Sequence, residues 1–111
     1  MISSVKILKF FSYTILFLIF LLSVIKVPET NAPQYTDKFV HVAMYFICAS
    51  IFCFLKIKHY IIAAICYGII IEIVQFFLPW RSFDIFDILA NGTGAFIFLI
   101  FFMSYKKFQL N

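Results

Sequence analysis

The sequence predicts an all-α membrane protein, a bundle of four transmembrane helices. The first observation is composition: the mean hydropathy is +1.07, 65% of the residues are hydrophobic and 13% are charged. Soluble domains carry roughly 25% charged residues, so this chain lies outside their usual range. The second observation is that four apolar stretches each approach the roughly 20 residues that cross a hydrocarbon core. In a chain of 111 residues they leave room for one domain, over residues 1–111.

The four apolar stretches occupy residues 7–25, 39–55, 60–78 and 85–103. Backbone polar groups find no water in hydrocarbon, so each stretch is expected to form a helix that satisfies its own hydrogen bonds. Pro28 and Pro33 bracket a polar connection after the first helix, and Pro79 ends the third. The connection at residues 56–59 is short, which predicts that the second and third helices are antiparallel neighbours.

The first apolar stretch is expected to remain as a membrane helix rather than to be removed as a signal peptide. It is longer than the roughly 7–15 residues of a signal-peptide core, and no good small-x-small cleavage site follows it. Basic residues near helix ends are retained in the cytoplasm. In a four-helix threading one side carries Lys6, Lys9, Lys56, Lys58, Lys106 and Lys107, and the other carries Lys26, Lys38 and Arg81. This distribution predicts a multi-pass protein of the cytoplasmic (inner) membrane with both termini in the cytoplasm.

The net charge of +4 is therefore interpreted as a topology signal, and no nucleic-acid partner is predicted. The three cysteines, Cys48, Cys53 and Cys66, fall in predicted helices without metal-ligand spacing, and their odd number argues against a disulfide framework. Packing as small apolar side chains is their expected role. The predicted partner is the lipid bilayer, and neither a cofactor nor a metal site is predicted.

Polar residues in the last three helices recur at helical spacing, which places them on shared faces. The second helix carries Asp37, His41 and Tyr45, the third carries Glu72 and Gln75, and the fourth carries Asp84, Asp87, Asn91 and Gly94. At about 1.5 Å per residue, these groups lie within about 10 Å of the outer ends of their helices. A charge in the membrane interior costs about 2.5–3.5 kcal/mol. We therefore expect these side chains to face the bundle and one another.

Three segments carry a family resemblance: "DKFVHVAMY" from residue 37, "EIVQ" from residue 72 and "PWRSFDIFDILANGTG" from residue 79. They resemble the VanZ-like family of small bacterial membrane proteins, which is named for a protein associated with resistance to the glycopeptide teicoplanin. The resemblance covers roughly residues 37–98. The matching positions are Asp37, Lys38, His41, Tyr45, Glu72, Gln75, Arg81, Asp87, Asn91 and Gly94. The chain departs from the family pattern at Trp80, where a small residue is common, and at Phe98, where a glycine is common.

The residues and the resemblance favour an outward-facing polar pocket that binds or acts on an envelope component, such as a lipid or wall-precursor head group. Its candidate residues are Asp37, Lys38, His41, Tyr45, Glu72, Gln75, Arg81, Asp87 and Asn91. Lys38 and Arg81 would hold an anion, and His41 with a neighbouring carboxylate would exchange protons or hold a cation. The family name extends this hypothesis to glycopeptide tolerance.

Two alternatives stay open. The first is a membrane enzyme, a transferase or hydrolase, that acts on a lipid phosphate with acids positioning a metal or acting as a base. The second is a purely structural cluster, in which interhelical hydrogen bonds contribute about 0.6 kcal/mol each. On the structural interpretation Asp84 caps the fourth helix, and Gly92 and Gly94 permit close helix contact. Arg81 is expected to reach either a carboxylate or an anionic ligand.

Overall fold

The computed structural model describes residues 3–26, 34–81 and 83–110, and within them it contains four helices and no strand. The helices are α1 (Ser4–Val24), α2 (Gln34–Phe54), α3 (Tyr60–Phe76) and α4 (Ile85–Leu110). This confirms the predicted all-α fold class. By length and composition α1, α4 and the Thr36–Phe54 part of α2 can each cross a membrane. The apolar helix α3 has 17 residues, at the short end of the range for a membrane-spanning helix.

The helix ends differ from the ends of the apolar stretches. Helix α2 begins at Gln34 rather than near residue 39, and α4 continues to Leu110 rather than ending near residue 103. Hydropathy marks the part of a helix that suits hydrocarbon, whereas backbone hydrogen bonding continues into polar residues. Helix α3 ends at Phe76, and the Leu78 N–H donates to Gln75 O in a tight turn before Pro79. Because α2 begins at Gln34, Asp37 and Lys38 lie within this helix.

Helices α2 and α4 form the most closely packed pair of the bundle. A Cβ atom built on Gly94 would lie 2.1 Å from Val42 O and 3.0 Å from Phe46 N, so the two backbones are in direct contact there. The predicted role of Gly94 in close packing is therefore confirmed. The same prediction for Gly92 is wrong, because a Cβ at that position would meet no atom within 4 Å. Gly92 lies on a face of α4 that α2 does not cover.

Helix α1 packs more on α3 than on α2. Its last carbonyl groups have no partner within the helix, as at any helix C-terminus. Side chains from the end of α3 and the turn that follows supply the donors. Gln75 Nε2 donates to Ser23 O at 2.7 Å, Trp80 Nε1 to Val24 O at 2.9 Å, and Arg81 Nη2 to Leu22 O at 3.1 Å. The end of α1 is thus capped by another part of the chain.

Candidate functional site

Lys38 contacts three carboxylates at the end of the bundle where α3 is connected to α4. Its ammonium donates to Asp87 Oδ1 at 2.5 Å and to Asp84 Oδ2 at 2.8 Å, and it lies 3.4 Å from Asp37 Oδ2. The hydrogen bond from Lys38 holds the pKa of the Asp84 carboxyl below its ordinary value. These four residues are called the ion-pair network below. The network ties α2 to the start of α4.

His41 lies one helical turn from Asp37 on α2 and is only 8% exposed. Its Nδ1 is 2.8 Å from Asn91 Oδ1. An amide oxygen only accepts, so Nδ1 carries the proton, and Nε2 of the neutral ring presents its lone pair. Nε2 lies 3.7 Å from Asp37 Oδ1 and 3.7 Å from Asp87 Oδ1, beyond hydrogen-bonding distance. In the neutral imidazole, the unprotonated Nε2 therefore faces two carboxylate oxygens.

Glu72 on α3 is 1% exposed and binds the backbone at the start of α4. Its Oε1 accepts a hydrogen bond from Asp84 N at 2.9 Å. Asp84 in turn accepts from Phe86 N through Oδ1 at 2.9 Å, which is the geometry of a helix N-cap. The predicted capping role of Asp84 is confirmed. Together the two carboxylates fix the connection between α3 and α4.

Tyr45 of α2 and Asn91 of α4 lie deeper in the bundle, against Gly68 of α3. Tyr45 is 1% exposed and Asn91 is 3% exposed. A Cβ atom on Gly68 would lie 2.9 Å from Asn91 Nδ2 and 2.9 Å from Tyr45 Cε1. The sequence analysis did not select Gly68. The signal that could have found it is its position one helical turn before Glu72, on the same face of α3.

A groove of about 320 Å³ lies between α1 and α2 and reaches the end of α3. It is lined by the apolar side chains of Leu22, Val40 and Met44 and by the polar residues Ser23, Asp37, His41, Gln75 and Arg81. The loose contact between α1 and α2 leaves this space open among the described residues. The groove therefore brings charged, polar and apolar side chains to the same volume.

The nine predicted site residues fall into three adjacent settings. Four line the groove, namely Asp37, His41, Gln75 and Arg81. Lys38 and Asp87 belong to the ion-pair network, and Tyr45, Glu72 and Asn91 are buried between helices. Asp37 and His41 join these settings, because Asp37 also contacts Lys38 and His41 contacts Asn91.

Both basic residues that were predicted to hold an anion contact other protein atoms within the part of the chain that the structure describes. Lys38, which the sequence analysis assigned to an anion, directs its ammonium at carboxylates. Arg81 donates to the backbone oxygen of Leu22 rather than to a carboxylate, which leaves further N–H groups of its guanidinium at the groove. Trp80, noted only as a departure from the family pattern, holds α1 through its indole N–H.

Comparison with known protein families identifies a family model that covers most of the chain. The model of the family described as VanZ/LLP1 matches residues 4–106, which is nearly the whole chain. No curated protein and no solved structure matches.

Proposed function

Because the chain belongs to the VanZ/LLP1 family and carries helices that can cross a membrane, we propose that it binds the head group of an envelope lipid in its groove. The ligand class includes phospholipids and lipid-linked wall precursors. The protein is then a multi-pass protein of the bacterial cytoplasmic membrane, with both termini in the cytoplasm and the groove at the outer surface. The lysine distribution supports this orientation.

The observation that carries the proposal is the mixed lining of the groove. Ligand sites are mostly apolar and contain a few placed polar groups, and their volumes begin at about 300 Å³. The groove has about 320 Å³, which suits a head group whose acyl chains remain in the bilayer. The guanidinium of Arg81 offers paired donors to a phosphate. Asp37 and His41, on the same groove, suit hydroxyl or amine groups attached to that phosphate.

The proposal is tested by native mass spectrometry of the purified protein in detergent. Phosphatidylglycerol, phosphatidylethanolamine and undecaprenyl phosphate serve as probes, each with EDTA present. Met44→Trp fills the groove without removing a charged group, and Arg81→Gln removes the guanidinium. We expect wild-type protein to retain at least one of these lipids and both variants to retain it several-fold less.

The matched control is Ile47→Trp, which adds the same bulk to α2 at an exposed position outside the groove. Trp80→Phe is a second control, since it removes a hydrogen bond to α1 but no groove side chain. Both controls should retain lipid as the wild type does. Equal retention by all five proteins would contradict the proposal, because the lipid would then be bound elsewhere.

The proposal extends to glycopeptide tolerance, because a groove that holds a wall precursor changes how much of it is free at the outer surface. Cells that express Met44→Trp at the wild-type level should lose any tolerance that the wild-type protein confers. Cells that express Ile47→Trp should keep it. Equal tolerance in both strains would remove this extension and leave the lipid-binding test unaffected.

A second candidate function, hydrolysis of a lipid phosphate, is favoured by the position of His41. Its Nε2 lies at the groove beside Asp37 and Asp87, where it can take a proton from an attacking water. In hydrolysis the water oxygen bonds to phosphorus and the lipid alcohol leaves with a proton. Release of phosphate from undecaprenyl phosphate in reconstituted vesicles would support this candidate if His41→Gln abolished it. Absence of release would leave binding as the function.

A further inference from the structure

We propose that Asp37, His41 and Asp87 form a binding site for one divalent metal ion of the Zn²⁺ or Mn²⁺ class. Each residue offers one ligand atom, and the three atoms all lie within 4.8 Å of one another. His41 and Asp87 are each 8% exposed, whereas Asp37 is exposed beside the groove. Imidazole and carboxylate are ligands that both metals accept.

The distances between the ligand atoms suit a metal. Ligands bound at about 2.0–2.2 Å in tetrahedral geometry are separated from one another by roughly 3.4 Å. His41 Nε2 lies 3.7 Å from Asp37 Oδ1 and 3.7 Å from Asp87 Oδ1. These separations are too long for hydrogen bonds and close to those of two ligands on one ion. For these two pairs only a small contraction is needed to bind the metal, and all three ligand atoms lie within 4.8 Å of one another.

The hydrogen bond between His41 and Asn91 prepares the imidazole for this role. Metal-binding histidines donate their other ring N–H to an oxygen, which fixes the tautomer and the ring orientation. Asn91 Oδ1 accepts from His41 Nδ1 at 2.8 Å, so Nε2 is the nitrogen left for the ion. Asn91 is 3% exposed, and its position is fixed between α2 and α3. It acts as a positioning residue and contributes no ligand atom.

Charge supplies a further, independent argument. The ion-pair network places three carboxylates, those of Asp37, Asp84 and Asp87, around the single ammonium of Lys38. With the carboxylates ionised, two formal negative charges remain uncompensated by that ammonium. Of the three, Asp87 is buried where water is partly excluded, and a divalent cation there would offset the excess negative charge. Lys38 Nζ is 2.5 Å from Asp87 Oδ1, so the ammonium and the metal compete for this oxygen.

The test measures metal binding to purified, EDTA-treated protein in lipid-free detergent, with Zn²⁺ and Mn²⁺ by calorimetry and Co²⁺ by visible absorption. We expect about one ion per chain. His41→Gln should abolish the Co²⁺ spectrum, and Asn91→Leu should weaken binding by about 10–100-fold through the loss of its positioning contact. His59→Gln, which changes an exposed histidine between α2 and α3, is the control and should bind as wild type does.

Lys38→Met separates a metal site from a merely structural cluster. Removal of the competing ammonium should tighten metal binding several-fold, whereas a structural role predicts only a less stable protein. Asp37→Asn, at an exposed position, keeps the test usable if His41→Gln fails to fold. Absence of binding by the wild type, or equal binding by the wild type, His41→Gln and Asp37→Asn, would overturn the proposal. Because no lipid is present, this result is independent of the lipid-binding test.

Discussion

Gly94 lies where the backbone of α4 touches the backbone of α2. In Gly94→Ala the new methyl group would lie 2.1 Å from Val42 O, and no side-chain rotation can relieve a contact with backbone. The helices must therefore separate, which also pulls Asp87 and Asn91 away from α2. We expect the substitution to lower the free energy of unfolding by about 1–3 kcal/mol or more, since this is the usual cost of overpacking. Thermal unfolding followed by circular dichroism in detergent measures the effect.

The matched control for this prediction is Gly92→Ala. A methyl group there meets no atom within 4 Å, and alanine favours a helix over glycine by about 0.5–1 kcal/mol. Gly92→Ala should therefore unfold at the wild-type temperature or slightly above it. Equal destabilisation by both substitutions would contradict the packing of α2 on α4.

Glu72 shows how much of a single residue's role could be predicted. Its position in an apolar helix predicts that it faces the bundle, because a charge exposed to lipid is costly, and it is indeed 1% exposed. Its partner could not be predicted, since the hydrogen bond goes to the backbone N–H of Asp84. That contact depends on the path of the turn around Pro79, which helical periodicity does not describe. The partners of Lys38 could not be predicted either, because Asp84 and Asp87 lie at the start of another helix.

The capping of α1 determines how this element is held in the bundle. Gln75→Leu removes the donor to Ser23 O, and Ser23 is buried, so the acceptor is left unsatisfied at a cost of about 1–3 kcal/mol. Trp80→Phe removes a similar hydrogen bond to Val24 O at an exposed position, where water can replace the indole. We expect that second change to stay within about 0.5 kcal/mol.

Both variants are compared with the wild type by thermal unfolding in detergent. Limited proteolysis, read by the release of α1 from the rest of the chain, shows whether the loss is local to this helix. A larger loss in Trp80→Phe than in Gln75→Leu would contradict the expectation that the buried hydrogen bond of Gln75 contributes more than the exposed one of Trp80.

At the scale of the elements, the apolar stretches predict four helices. They place the start of α2 and the end of α4 several residues inside the observed helices. Ser104, Lys106 and Lys107 lower the local hydropathy, yet they favour or tolerate a helix. For the same reason the second apolar stretch begins at residue 39, after Asp37 and Lys38. In the structure both lie inside α2, where helical spacing brings Asp37 and His41 to one face.

For the whole molecule, composition and helix length predict the fold class, because a chain with this hydropathy has few ways to satisfy its backbone in lipid. Which helices pack against each other was harder to predict from the sequence. The short connection predicts that α2 and α3 are neighbours, but α2 packs most closely on α4, where Gly94 removes the side chain that would separate them. The groove depends on the loose contact of α1 with α2, a property of the assembled bundle that no single segment encodes.

The proposed orientation decides which membrane surface the groove can serve. The connection between α2 and α3 contains Lys56 and Lys58, and the far end of α4 contains Lys106 and Lys107. Lysines near helix ends are retained in the cytoplasm, so this end of the bundle is expected inside. The ion-pair network and the groove lie at the opposite end, beside the connection between α3 and α4.

Single-cysteine labelling in intact cells tests this orientation. In a background in which Cys48, Cys53 and Cys66 are replaced by alanine, Phe83→Cys and Lys58→Cys place an exposed thiol at opposite ends of the bundle. A membrane-impermeant maleimide should label Phe83→Cys in intact cells, and it should label Lys58→Cys only after the cells are permeabilised. Both variants share one background, so any effect of losing the buried Cys48 cancels from the comparison. The reverse pattern would place the groove in the cytoplasm, where an outer-leaflet head group cannot be its ligand.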